Sequence, residues 1–240
     1  MIGLNPMTFR PGQFASQRRS QVSSHDMGFM GAFNGAPLII TVGDSITQFG
    51  ADPGNMGFQS LLANDYVRKA DVVNRGLAGW TTRGWLPKVP LLIEEWRGKP
   101  PALVTIFLGA NDAALIDKAP EQHVPLDEYD SNLHHMIALL RAAFPTCAIL
   151  LITPPLVDDA RCPSRANFET KKYAAECVRV GAALDVPVLD LWSDLQGRPD
   201  LLVDGLHFNQ KGNVVAHQLI VDAIAKSFPR LTPAALPSEF

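Results

Sequence analysis

Ser45 follows an apolar run in Gly43-Asp44-Ser45-Ile46. A serine at a strand-to-helix turn exposes its hydroxyl beside the positive end of the following helix, which suits a nucleophile. It equally suits a helix N-cap. Ser193, after the apolar run Val186 to Leu191, competes on the same logic but lacks a preceding glycine. In Gly109-Ala110-Asn111-Asp112 the Asn111 amide could donate to a developing oxyanion, or the pair could form a turn bonded to its own backbone. Gly79, in Asn74-Arg75-Gly76-Leu77-Ala78-Gly79-Trp80-Thr81, could turn a backbone N–H into the same pocket or simply serve a tight connection. Thr81 is placed to cap the next helix. In Asp204-Gly205-Leu206-His207 a carboxylate three residues before an imidazole can reach it, fix its tautomer and stabilise its protonated form. Of six histidines, His207 alone has an aspartate at that spacing.

Together these parts fit acyl transfer. Ser45 would attack, His207 would take its proton, Asp204 would orient the ring, and Asn111, Gly79 and the Ser45 N–H would hold the oxyanion. The rate should then rise as the imidazole loses its proton. Trp80, Leu115 and Phe208, with Trp85, flank these residues and suggest an apolar pocket, the tryptophans serving alternatively as core. A metal site from Asp44, Asp112, Asp204 and His207 would leave the serine and asparagine without a role, so no metal or other cofactor is expected.

Such groups need a rigid frame. Apolar runs of strand length recur at Leu38–Val42, Val72–Asn74, Leu103–Leu108, Ala148–Ile152 and Val186–Leu191. Between and after them, Gly57–Lys69, Thr81–Arg97, Leu126–Phe144, Ser164–Leu184 and Asn209–Phe228 are long enough for helices. Leu133, Met136, Ile137 and Leu140 fall on one helical face. The alternation predicts an α/β domain with a five-stranded parallel sheet between helices, whose functional groups collect at the carboxyl ends of the strands.

Gly43-Asp44-Ser45, Gly79, Gly109-Ala110-Asn111-Asp112 and Asp204-Gly205-Leu206-His207 resemble, in order, the four blocks of the GDSL-type or SGNH hydrolases. The stretches NRGLAGWTTRG, VTIFLGANDAAL, PEQHVPLDEYDSNL and VDGLHFNQKGN are similar to the isoamyl-acetate-hydrolysing esterase group, over roughly residues 38 to 227. The resemblance implies a three-layer, flavodoxin-like α/β/α fold, a Ser45-His207-Asp204 triad, and an oxyanion hole from the Ser45 N–H, the Gly79 N–H and the Asn111 side chain. It also implies hydrolysis of short-chain carboxylic esters without a cofactor; a lysophospholipase, an acyl thioesterase and a sugar deacetylase share the same blocks. One departure is GNMGFQSLL at 54–62, where Phe58 stands in place of an expected tryptophan and bears on the shape of the pocket.

Bulk properties agree. The chain has 240 residues, 47% of them hydrophobic, enough for one well-buried domain. A net charge of -3 gives no case for nucleic acid. Gly-x-x-x-x-Gly-Lys-Ser/Thr, Gly-x-Gly-x-x-Gly and Gly-x-Ser-x-Gly are all absent, which argues against a nucleotide-binding module and an α/β-hydrolase elbow. Cys147, Cys162 and Cys177 form no Cys-x-x-Cys pair, and no Asn-x-Ser/Thr or bilayer-length apolar run occurs, so a cytoplasmic protein is expected. Residues 1–36, with Arg10, Arg18 and Arg19 against the single acid Asp26, read as a disordered leader or a targeting segment. Residues 229–240 read as an irregular tail. The expected partner is a small-molecule ester; a homo-oligomer is compatible with the sequence.

Overall fold

Five parallel strands, β1 (Leu38–Gly43), β2 (Asp71–Gly76), β3 (Leu103–Phe107), β4 (Ala148–Ile152) and β5 (Val188–Leu189), form one sheet in the order β2-β1-β3-β4-β5. This computed structural model describes residues 35–238; all but the last two residues of the expected leader lie outside that range. The strand order reverses between β1 and β3, the switch point at which doubly wound sheets open a crevice.

Alternation along the strands feeds two cores. Leu38, Ile40 and Val42 of β1, Val104 and Ile106 of β3, and Ile149 and Leu151 of β4 face one. The helices α3 (Thr82–Trp85), α4 (Val89–Trp96), α5 (Leu126–Ala143) and α6 (Asn167–Leu184) contribute to it. Ile39, Phe107, Leu150 and Ile152 face the other, joined by α1 (Ser45–Phe49), α2 (Phe58–Asp65) and α8 (Gln210–Ser227). Leu133, Met136, Ile137 and Leu140 form the buried stripe of α5, as their spacing predicts.

The boundaries differ where local chemistry intervenes. The stretch 81–97 is two helices joined by a 3₁₀ turn at Leu86–Lys88, because Pro87 and Pro90 break the helical hydrogen-bond ladder. Thr81 caps α3, accepting from the Gly84 N–H. β5 is only two residues long, since Asp190 leaves the strand to cap α7 (Leu191–Asp194). Ser193 belongs to that cap, its hydroxyl donating to Asp190 Oδ2 at 2.6 Å. α6 begins at Asn167 rather than Ser164, leaving Arg165 in the preceding loop. After α8 the chain makes a 3₁₀ turn at Pro229–Leu231 and stays on the domain: Tyr66 Oη donates to the Leu231 carbonyl and Lys69 Nζ to that of Leu236.

Candidate active site

β1 delivers Gly43 and Asp44 to the crevice, and α1 starts there. Asp44 caps α1, its Oδ1 accepting from the Ile46 N–H at 2.8 Å. Ser45 is therefore the first helical residue rather than the cap, and its side chain is left for another partner. That partner is His207: Ser45 Oγ lies 2.8 Å from His207 Nε2. His207 Nδ1 lies 2.7 Å from Asp204 Oδ2, so the carboxylate fixes the tautomer with the proton on Nδ1. Oδ1 of Asp204 accepts from the N–H groups of Leu206 and His207 at 3.0 and 2.8 Å. Burial pushes the Asp204 carboxyl up, but these hydrogen bonds outweigh it and hold the group below its ordinary value.

The turn 204–207 is shaped by Gly205, at φ +91°. A Cβ there would meet Arg161 Cβ and the Asp158 carbonyl at 2.9 Å. The loop after β4 braces this turn: the Asp158 N–H donates to the Gly205 carbonyl, Arg161 Nη1 to the Leu202 carbonyl and Nη2 to that of Pro199.

β3 leads, just past its end at Phe107, into Gly109 and Asn111. Asn111 is buried, its Nδ2 donating to the Trp80 carbonyl at 2.9 Å and its Oδ1 accepting from Arg165 Nη2 at 2.9 Å. Its side chain thus bonds outside its own turn. Gly79 sits at φ +79°, a left-handed conformation open to glycine. Among the described residues neither the Ser45 N–H nor the Gly79 N–H donates to a backbone or side-chain acceptor.

Two buried carboxyls underlie the crevice. Burial pushes Asp44 up to about 7, opposed mainly by the Ile46 N–H and assisted by the nearby Asp112. Burial pushes Asp112 up to about 6, against the hydrogen bonds from Thr82 N–H and Oγ1 to its Oδ1; among the described residues its Oδ2 has no hydrogen-bond partner. Because the folded-state value of Asp44 lies above 3.8, folding favours its protonated form; that contribution is complete below about pH 4 and is lost as pH rises through about 7. Asn keeps the acceptor for Ile46 and cannot ionise. The Tm of Asp44→Asn relative to the parent should therefore improve by about 5 °C or more between about pH 4.5 and about pH 8, read by scanning fluorimetry. A difference flat in pH would remove Asp44 titration from that window.

The pocket residues expected from the sequence are dispersed. A cavity of about 170 Å³ beside His207 is lined by Ile46, Phe49, Val203 and Phe208, among others. Trp80 and Leu115 are not among its walls; Trp80 is half-buried, edge-on to Trp85. Trp85 is a core residue, 3% exposed, its Nε1 donating to the Gly43 carbonyl. Phe58 also belongs to the core, against Phe107 and under Gly50, and does not line the cavity. Larger depressions of about 580 and 500 Å³ lie elsewhere, by Pro100–Ala102 with Phe228 and along Pro187–Asp190. Among the described residues no three His, Cys, Asp or Glu side chains converge on one point.

Arg165 and Phe49 carry parts of the site that the motifs do not name. Phe49 lies one helical turn after Ser45, a spacing that puts both on one face, and its ring stands 5.2 Å from that of His207. Arg165 has no such signal.

Comparison with known proteins accords with this geometry. The profile of the GDSL-like Lipase/Acylhydrolase family matches residues 41–215. The isoamyl acetate-hydrolyzing esterase 1 homolog of Rattus norvegicus is 40% identical over 216 residues, covering 82% of this chain and 86% of that protein. The homolog of Mus musculus is 42% identical over 193 residues, covering 74% and 77%. The crystal structure of a lipase/acylhydrolase from Enterococcus faecalis superposes with a TM-score of 0.66 at 30% identity, covering 84% of this chain and 98% of that one. With a match spanning all four motifs and relatives this similar over most of their length, the chain belongs to the GDSL-like lipase/acylhydrolase family and is a carboxylic ester hydrolase.

Proposed function

We propose that the protein hydrolyses short-chain, acetate-type esters through an acyl-Ser45 intermediate. The observation that carries this reading is the continuous relay from Ser45 Oγ through His207 to Asp204, at 2.8 and 2.7 Å. Ser45 Oγ attacks the ester carbonyl carbon while its proton passes to His207 Nε2, and Asp204 stabilises the resulting imidazolium. The tetrahedral oxyanion takes hydrogen bonds from the Ser45 and Gly79 N–H groups and from the remaining Asn111 Nδ2–H. Collapse expels the alkoxide, which receives the proton from Nε2. Water then gives its proton to the same nitrogen as it attacks the acyl carbon, and the acid leaves with Ser45 restored.

Size favours a small ester. The reacting ester sits against His207, which forms a wall of the cavity of about 170 Å³. That volume is well below the 300 Å³ or so at which pockets take drug-sized ligands. An acyl-CoA substrate finds less support: Arg75 is paired with Glu95 and Arg83 with Glu128, so neither guanidinium is free for phosphates. Among the described residues no helix is long and apolar enough to cross a membrane. Cys147, Cys162 and Cys177 are free thiols, which supports a reducing, cytoplasmic setting.

The test is initial rates on chromogenic acetyl and octanoyl esters with Ser45→Ala as the blank. The acetyl ester should turn over about tenfold faster or more, since each methylene beyond the available space costs binding in the transition state. Faster octanoyl turnover would replace this reading with a lysophospholipase or long-chain acyl role.

A further inference from the structure

Arg165 is 4% exposed, and among the described residues no carboxylate hydrogen-bonds its guanidinium. Nε donates to the Ala110 carbonyl at 2.7 Å and Nη1 to the carbonyl and hydroxyl of Ser164, both at 3.2 Å. Nη2 donates to Asn111 Oδ1 at 2.9 Å and to Gln122 Oε1 at 2.6 Å. Gln122 in turn directs Nε2 to the Gly79 carbonyl at 3.4 Å. Burying a cation among neutral acceptors is costly unless its full donor set is used, and here it is used: two bonds go to the segment that bears Asn111, one to Gln122, which reaches the Gly79 carbonyl, and two to Ser164.

We infer that Arg165 is a positioning residue for the oxyanion hole, orienting Asn111 directly and Gly79 through Gln122. This rests on the proposed roles of Asn111 and Gly79. A primary amide can turn end for end, exchanging donor for acceptor. A guanidinium only donates, so it accepts Oδ1 as a neighbour and rejects the NH₂ end. The Trp80 carbonyl then takes one Nδ2 hydrogen, leaving the other for substrate. Gly79, at φ +79°, is the most permissive link of its turn, and bonds to its own carbonyl and to that of Trp80 hold the turn from both sides. One side chain thus sets two donors that lie 32 residues apart in sequence. Lys cannot replace it, having no planar fork.

The test is a double-mutant cycle. Arg165→Gln is expected to lower kcat on an acetate ester about 30-fold with KM changed less than about threefold, and Arg165→Lys should not restore it. In an Asn111→Ala background, itself slower by about 10²-fold, Arg165→Gln should cost no more than about tenfold further, the share carried by Gly79 through Gln122, because the amide it orients is gone. Full additivity, or parent kcat in Arg165→Gln, overturns the inference and leaves the site reading standing. Parent kcat in Asn111→Ala overturns the site reading, and the inference with it. If circular dichroism shows Arg165→Gln unfolded, half-buried Gln122→Ala decides. A fall of about tenfold in kcat at unchanged KM supports the relay to Gly79, and unchanged kcat overturns it.

Discussion

Ser45→Ala is expected to lower kcat on an acetate ester by roughly 10⁴- to 10⁶-fold without loss of folding. The hydroxyl is the group poised 2.8 Å from His207 Nε2. Its removal creates no large cavity and no open helix end, because Asp44 rather than Ser45 caps α1. The variant's Tm should stay within a few degrees of the parent's. What activity remains would come from water attacking a carbonyl still polarised by the oxyanion donors. Kinetics under saturating ester, with thermal melting of the same preparation, check both halves; turnover near the parent's would sink Ser45 as the nucleophile.

His207→Gln is expected to cost about as much, roughly 10⁴- to 10⁶-fold, and the double variant with Ser45→Ala no more than the worse single. In the proposed mechanism the serine and imidazole act as one unit: without the base the hydroxyl keeps its proton, and without the hydroxyl the base has nothing to deprotonate. Asp204→Asn should cost less, roughly 10²- to 10⁴-fold, since an amide still holds the ring but accepts poorly from an imidazolium. Its side chain is half exposed, at 52%, so water can replace part of the lost stabilisation. Multiplying losses in the double variant would mean that the two residues serve separate steps.

Elements defined by hydrophobic period were legible in the sequence. β1, β3, β4 and α5 are continuous apolar runs or stripes that bury one face or two, so period and burial coincide. The short elements were not: β5 is defined by where Asp190 turns away, and α1 by an Asp44 cap that looks in sequence like part of the serine motif. In the site, Asp204 and His207 meet as their three-residue spacing in one turn predicts, whereas Ser45 meets His207 across 162 residues, a pairing that only the topology of the sheet supplies. Arg165 was illegible because its meaning lies in contacts 54 and 43 residues away, to Asn111 and Gln122, which no local pattern encodes. Trp80 and Leu115 fell among the pocket candidates through adjacency to motifs. Adjacency in a loop does not fix a side chain's direction as helix spacing fixes that of Phe49.

Arg161 and Arg165 both stand on the connection between β4 and α6, one holding the 199–203 segment and the other the Asn111 amide. The serine, amide and imidazole segments are therefore not exchangeable cassettes. Grafted together onto another doubly wound sheet, they would arrive without the bracket that keeps their heights matched across the crevice. Insertions between residues 153 and 166 would throw both halves out of alignment at once, so an engineer reshaping this enzyme for bulkier esters should leave that connection intact and begin with the side chain of Val203, which is exposed at the cavity.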